Sequence, residues 1–421
     1  MHIRSPSIYL AVKSEAKIKI EVIEILLRKI DFIDIHRQFH KINILKYQSL
    51  LDIKLKTETD TLVKDIIIFI NLPDLSCREL SLLKKNYYLL VCLGDIAEHY
   101  QTSYVYSQFL FDGVLLEEPE YRSFFEVYGI PTYDGSLFNH EISSFIYANT
   151  SYSSLIPLKQ RKYDFSFIGR FDRKGRKSLF EDLNKYFPNL FIHDSTLNPL
   201  SNDDLHKIIR NTKFFYNSTS IAPRDTYGKK NFPQYLQLQR KSRLIQYALN
   251  GCICFSEILP QRKYVTLDSS FIPIQEIPRG ESQGLYCQNY IKNNDSKLTS
   301  ISMDTYDSVV CGYSSKNIAN LFNQIVVDIK NQSPKYSNFT LLKKETTKIE
   351  LIYTKYKLFS QLKLIIFSSI SPFKKLIEVN RRINYYTKGF NKKTLSLLLI
   401  NLTLTLATRS LIFLFNKSFK P

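Results

Sequence analysis

Charged and polar side chains gather in this 421-residue sequence where apolar runs stop. The run LVCLGD ends on Asp95, and His99 follows four residues later, one helical turn away. A carboxylate or imidazole placed there suits a general base that takes a proton from a hydroxyl. Capping of the following helix is the plain structural role for Asp95. Glu98, Glu117 and Glu118 share that part of the chain. A second run, YDFSFIGR, ends on Gly169 and Arg170, with Arg173, Lys174, Arg176 and Lys177 close behind, and Arg243 opens a third segment. Glycine allows close backbone approach, and guanidinium groups grip multiply charged anions. A solvated surface is the alternative for each of these bases. The six cysteines include no C-x-x-C pair, and Cys252 and Cys254 share one face of a strand. They read as small core residues in a reducing compartment, with no metal centre.

The elements that must position these groups alternate. Apolar runs at 7–12, 65–74, 87–95 and 111–118 read as strands, and 17–30, 79–86 and 119–129 as helices. Pro119 and Gly129 bracket the last helix. A polar passage over 134–162 interrupts the pattern, which then resumes. Strands are expected at 163–170, 190–195, 214–220, 252–257 and 269–274. Helices are expected at 173–188, 202–213, 241–251 and 316–331. Asn250-Gly251 forms a helix stop. Strands alternating with helices predict parallel sheets and an α/β fold. The expected division is 1–150, 160–335 and a tail at 336–421. In open parallel sheets ligands sit beyond the carboxyl ends of the strands. A composition of 44% apolar and 23% charged residues excludes wholesale disorder, and 12 Gly and 15 Pro exclude a collagen-like chain.

The second half resembles a known family. YDFSFIGRFDRKGRKSLFEDL is similar to the opening strand, Gly-Arg turn and helix of the C-terminal domain of GT-B glycosyltransferases. FFYNSTS followed by KSRLIQYALNGCICFSE resembles their nucleotide-binding element R-x-x-E-A-x-x-x-G-x-x-x-x-S. The form is that of family 1-like, spore-maturation-protein-type enzymes, with a weaker likeness to exostosin-type domains at Asn-Gly-Cys-Ile. LGDIAEHY and FDGVLLEEPEYRSFFEVYGIPTYDG resemble the N-terminal domain of the same proteins, so the likeness spans roughly residues 85–330.

The resemblance implies two Rossmann-like domains facing a cleft and transfer of a sugar from a nucleotide-sugar donor to a glycan or lipid-linked acceptor, in surface-polysaccharide or glycoconjugate synthesis. No cofactor or metal is implied, so the protein itself must neutralise the leaving diphosphate. The implied donor-binding residues are Gly169, Arg170, Ser218, Arg224, Arg243, Gln246 and Gly251, and Asp95 or His99 is the base if the transfer inverts. A retaining transfer needs no such base. The family's Glu in R-x-x-E is Gln246 here. An amide reaches as far but both donates and accepts, which leaves a non-catalytic nucleotide-binding protein as the alternative.

Charge is uneven. Residues 331–421 hold 17 Lys/Arg and three acids, a net +14 of the chain's +19. Within them, LFSQLKLIIFSSISPFKKLIEVNRRI mixes apolar and basic residues, and 395–415 is long enough to cross a bilayer, although it contains Asn401 and Arg409. The expectation is an anionic membrane surface as partner for 336–421, with the protein cytoplasmic and peripheral on the inner membrane face. The N-terminus shows no secretory signal pattern. Nucleic acid is the rival anion. It ranks lower because no zinc finger, RNA-binding signature or helix-turn-helix accompanies the charge.

Overall fold

The computed structural model describes residues 5–27 without 18, 19, 22 and 25, then 41–56, 63–94, 107–117, 121–138, 151–169, 176–194, 198 and 200–217. It continues with 242–257, 271–274, 282–330, 346–388 without 367 and 370, and finally 390, 395, 396 and 398.

The first sheet has six parallel strands: β1 (Ile8–Lys13), β2 (Ile42–Tyr47), β3 (Asp65–Ile70), β4 (Tyr87–Leu93), β5 (Gly113–Leu116) and β6 (Thr132–Asp134). Their order is β2-β1-β3-β4-β5-β6. In β3 all six residues of DIIIFI are buried, as a parallel strand covered on both faces requires. Each such Ile contributes about 1.5–3 kcal/mol by leaving water. Asn71 ends β3 in a left-handed conformation, with φ 86°. Short helices α1 (Leu50–Lys56), α2 (Cys77–Leu83) and α3 (Arg122–Glu126) connect the strands. Ser76 and Glu79 close a capping box at the start of α2.

The second sheet has five parallel strands: β7 (Tyr163–Gly169), β8 (Leu190–Asp194), β9 (Thr212–Asn217), β10 (Ile253–Glu257) and β11 (Ile272–Ile274). They are ordered β11-β10-β9-β7-β8. Helices α4 (Arg176–Tyr186), α5 (Asn202–Arg210) and α6 (Ser242–Ala248) belong to it. Buried Arg161 staples the amino ends of this sheet: its Nη1 donates to Thr212 O at 2.8 Å and Gly251 O at 3.0 Å, and its Nε to Ile156 O at 2.8 Å.

Helices α7 (Gln283–Asn293), α8 (Leu298–Gly312) and α9 (Ser315–Lys330) follow. The first two are not among the helices expected from the sequence. α9 returns to β6, and a continuous apolar core joins Leu137 and Phe138 to Phe322 and Ile325. The Ser136 and Tyr313 hydroxyls hydrogen-bond at 3.0 Å across that junction.

The described part of the region read as a tail is a helical hairpin, α10 (Thr346–Ile366) and α11 (Pro372–Thr387), and α10 packs on the first half of the chain. Ile349 and Tyr353 enter the core of the first sheet. Leu358, Leu362, Ile365, Tyr386 and Leu398 form a small core of the hairpin itself. Apart from 395, 396 and 398, the apolar run 395–415 lies outside the described residues. Among the described residues no helix is long and apolar enough to cross a membrane.

Candidate functional site

Each sheet contains one switch point, where connections leave in opposite directions and a crevice opens beyond the strand ends. In the second sheet it lies between β7 and β9. Gly169 closes β7 there and Asn217 closes β9. Asn217 is fully buried and its Nδ2 donates to Ser256 Oγ on β10 at 2.9 Å. Its Oδ1 has no hydrogen-bond partner among the described residues. A buried amide oxygen without a donor costs roughly 1–3 kcal/mol, which a ligand hydroxyl or N–H at this position would recover.

Helix α6 runs from the β9 side to β10, so a parallel crossover places its amino end at the same edge. Arg243 sits in its first turn, half-buried, and Gln246 one turn further in, buried. Arg243 Nη1 donates to Gln246 Oε1 at 2.9 Å. The structure thus brings these two expected donor residues together. The helix is held by Tyr247, fully buried, whose hydroxyl lies 2.5 Å from Ser166 Oγ and whose ring stacks on Phe215 at 4.1 Å. Burial pushes the Tyr247 phenol far up, so it acts as a neutral anchor.

Gly251 goes elsewhere. It precedes β10 at the opposite, amino edge of the sheet, where its carbonyl accepts from Arg161 and from Ser302 Oγ at 2.6 Å. Its φ is +65°, and an added Cβ would meet Leu155 Cδ1 at 3.0 Å and Tyr152 Cε2 at 3.1 Å. Gly251 therefore makes the turn into β10 and does not touch the crevice at Gly169. Gly251→Ala is expected to cost about 1–2 kcal/mol from the left-handed backbone alone, with the tight contacts adding to it. Urea unfolding measures this, and unchanged stability would remove the structural role.

Arg170, Ser218 and Arg224 lie outside the described residues, as do Asp95 and His99, and Arg173 and Lys174. Lys177 is exposed and pairs with Glu181 at 3.8 Å. The end of β4 is described as far as Gly94, and the Glu117 carboxylate from the end of β5 lies against it: a Cβ on Gly94 would stand 2.7 Å from Glu117 Oε2. Glu117, half-buried, is therefore a described carboxylate beside the strand end from which the chain continues to Asp95.

The switch point of the first sheet lies between β1 and β3, and the hairpin reaches it. Asp74, after β3, pairs with Lys13 at the end of β1 and with Lys357 of α10 at 2.8 Å. Lys357 Nζ also donates to Leu72 O at 2.9 Å, and Tyr353 donates to Pro73 O at 2.9 Å and Leu75 O at 2.7 Å. Tyr385 of α11 donates to Glu79 Oε2 at 2.5 Å. Burial, with the Lys13 ammonium beside it, pulls Lys357 from its ordinary 10.5 down to about 7. The crevice of the first sheet is thus occupied by the chain's own side chains.

The buried cysteines are inert. Burial pushes Cys252 up to about 12 and Cys254 well above its ordinary value. Among the described residues no group of His, Cys, Asp and Glu could hold a metal ion.

Missed by the sequence reading were Asn217, Ser256, Arg161 and Lys357. The expected strand 214–220 ends three residues earlier in the structure, at Asn217, the polar residue that closes FFYN. Arg161 and Lys357 act through partners far away in the chain.

Two tandem α/β units, each with one all-parallel sheet, are the architecture that the GT-B resemblance implies. No protein-family model matches the chain, and no curated protein matches it. Solved structures similar to it include the following three. A glycosyltransferase from Rickettsia africae ESF-5 shares 10% identity over 78% of this chain and 99% of that one, with a TM-score of 0.39. The GtfA/B complex shares 13% over 64% of this chain and 58% of that one, at 0.38. Alr3699/HepE from Anabaena, in complex with UDP, shares 12% over 78% of this chain and 100% of that one, at 0.39.

Proposed function

We propose that this chain is a GT-B-type glycosyltransferase that moves a sugar from a nucleotide-sugar donor to a glycan or lipid-linked acceptor, without a metal, in surface-polysaccharide or glycoconjugate synthesis in the cytoplasm. The observation that carries the reading is the switch point of the second sheet. Gly169 admits a close approach, Asn217 Oδ1 waits for a donor, and Arg243 with Gln246 stands at the amino end of α6. Those groups suit a nucleotide: the guanidinium meets the diphosphate, and the Gln246 amide meets ribose hydroxyls. Arg170, Ser218 and Arg224 follow these strand ends in the sequence and complete the donor site in this proposal. Asp95 or His99, with Glu117 beside the end of β4, would take the acceptor's proton in an inverting transfer.

A thermal-shift screen against UDP-, GDP-, ADP- and dTDP-sugars tests the reading. A ligand at about 100 times its Kd raises stability by about 2.7 kcal/mol. One nucleotide class is expected to raise Tm, and Asn217→Leu to abolish the rise while leaving the circular dichroism spectrum native. No shift with any nucleotide, together with no transfer from any donor, would sink the proposal. A second reading, nucleotide binding without catalysis, is favoured by the Gln246 amide where the family carries a carboxylate. Binding without turnover would select it.

A further inference from the structure

The hairpin α10–α11 has two sides of different character. Its inner side is clasped to the first half by Tyr353, Lys357 and Tyr385. Its closed end carries four large apolar side chains in the open: Leu364 (66% exposed) near the end of α10, and Phe373 (72%), Leu376 (67%) and Ile377 (53%) in the first turns of α11. At 100° per residue, Phe373, Leu376 and Ile377 fall within one arc of α11. Lys374 and Arg381, both exposed, border that arc on one side, and Arg381 also pairs with Glu378 at 3.4 Å. Pro372 and Phe373 open the helix at the turn itself, so the apolar residues stand at an extremity of the hairpin and not in a groove. Single exposed apolar residues are ordinary, but four at one tip are not.

Charge identifies the occupant. Residues 346–388 hold nine Lys/Arg and two acids. A second copy of the same tip would bring like charges together, and a nucleic acid would leave Phe373, Leu376 and Ile377 in water. An anionic bilayer satisfies both features: apolar side chains enter the acyl boundary while Lys374 and Arg381 remain among the headgroups. We propose that the α10–α11 tip, through Leu364, Phe373, Leu376 and Ile377 flanked by Lys374 and Arg381, docks this protein peripherally on an anionic lipid surface. Docking at this tip would hold the first sheet at a fixed place relative to the bilayer, because α10 is anchored at the β3–α2 loop by Tyr353 and Lys357. The inference stands on the exposed side chains and does not depend on the transferase reading.

The test is co-sedimentation of the full chain with phosphatidylglycerol-containing vesicles and with pure phosphatidylcholine vesicles. Binding is expected to the anionic vesicles only, weakened by salt. The triple variant Phe373→Ser, Leu376→Ser, Ile377→Ser is expected to bind them at least about tenfold more weakly. The double variant Lys374→Glu, Arg381→Glu is expected to lose the preference for anionic lipid. All five positions are exposed, so both variants should keep the wild-type Tm, and thermal melting checks this. No binding by the wild type overturns the proposal. Undiminished binding by the triple variant also overturns it and assigns the affinity to another segment, 395–415 being the obvious one. A wild-type dimer that the triple variant converts to monomer overturns it in favour of a second copy.

Discussion

Lys357→Met is expected to make the protein more stable than the wild type at neutral pH and less stable near pH 10. Lys357 is buried, and its pKa in the folded protein is drawn from 10.5 to about 7, first by burial and then by the Lys13 ammonium. Below pH 7 both folded and unfolded chains hold the proton, and the folded state carries the full cost of the buried charge. Between pH 7 and 10.5 the unfolded chain holds a proton that the folded chain does not, so wild-type stability rises through that window. The shift corresponds to about 4–5 kcal/mol at most. Against it stands the loss of the Lys357 hydrogen bonds to Leu72 O and to Asp74 Oδ1, together about 2–4 kcal/mol. Asp74 keeps Lys13 as its partner in the variant, so no carboxylate is stranded. The charge term exceeds the hydrogen-bond term at pH 7 and vanishes by pH 10.5, so the two stability curves cross. Urea unfolding of both proteins across this range measures the difference. A difference that stays constant with pH would show that Lys357 titrates normally.

The same lysine shows where sequence reading runs out. Buried parallel strands were legible because both faces are covered: DIIIFI and YYLLVCL are continuous apolar runs and became β3 and β4. Gly129 and Gly251 were legible as left-handed stops, and both have positive φ. Strand β2 was not, because INILKY lies at a sheet edge with half its residues only partly buried and polar Asn43 and Lys46 among them. Without β2 the switch point of the first sheet could not be placed. α8 was hidden for a different reason: its buried face includes Ser302 and Thr305, so its apolar period is weak. Lys357 looked like one more base in a strongly positive segment. Only the fold shows that it turns inward to a carboxylate 283 residues away, while Lys374 and Arg381 of the same segment face solvent.

The proposed donor site is read from the sequence as a set of positions, and the structure adds an arrangement for two of them, Arg243 and Gln246. Arg243 and Gln246 were named from a sequence pattern, and the hydrogen bond between them turns that pattern into a prediction. Arg243→Ala is expected to weaken nucleotide-diphosphate binding about 100-fold, the loss of roughly 2.7 kcal/mol from one charge-assisted contact. Arg243 is only half-buried, so the same change should shift unfolding little. Gln246→Glu acts differently. The carboxylate would be buried, but it stands within reach of the Arg243 guanidinium, and a charge-assisted pair is shorter and stronger than the amide contact it replaces. It would also offer two acceptors to the ribose hydroxyls where the amide offers one. Nucleoside affinity should therefore rise in Gln246→Glu, and the rise should disappear in the Arg243→Ala, Gln246→Glu double variant, which strands the carboxylate. Titration calorimetry with a nucleoside diphosphate and with its nucleoside separates the two contributions. Equal losses for both ligands in Arg243→Ala would mean that the guanidinium supports Gln246 and does not meet the diphosphate.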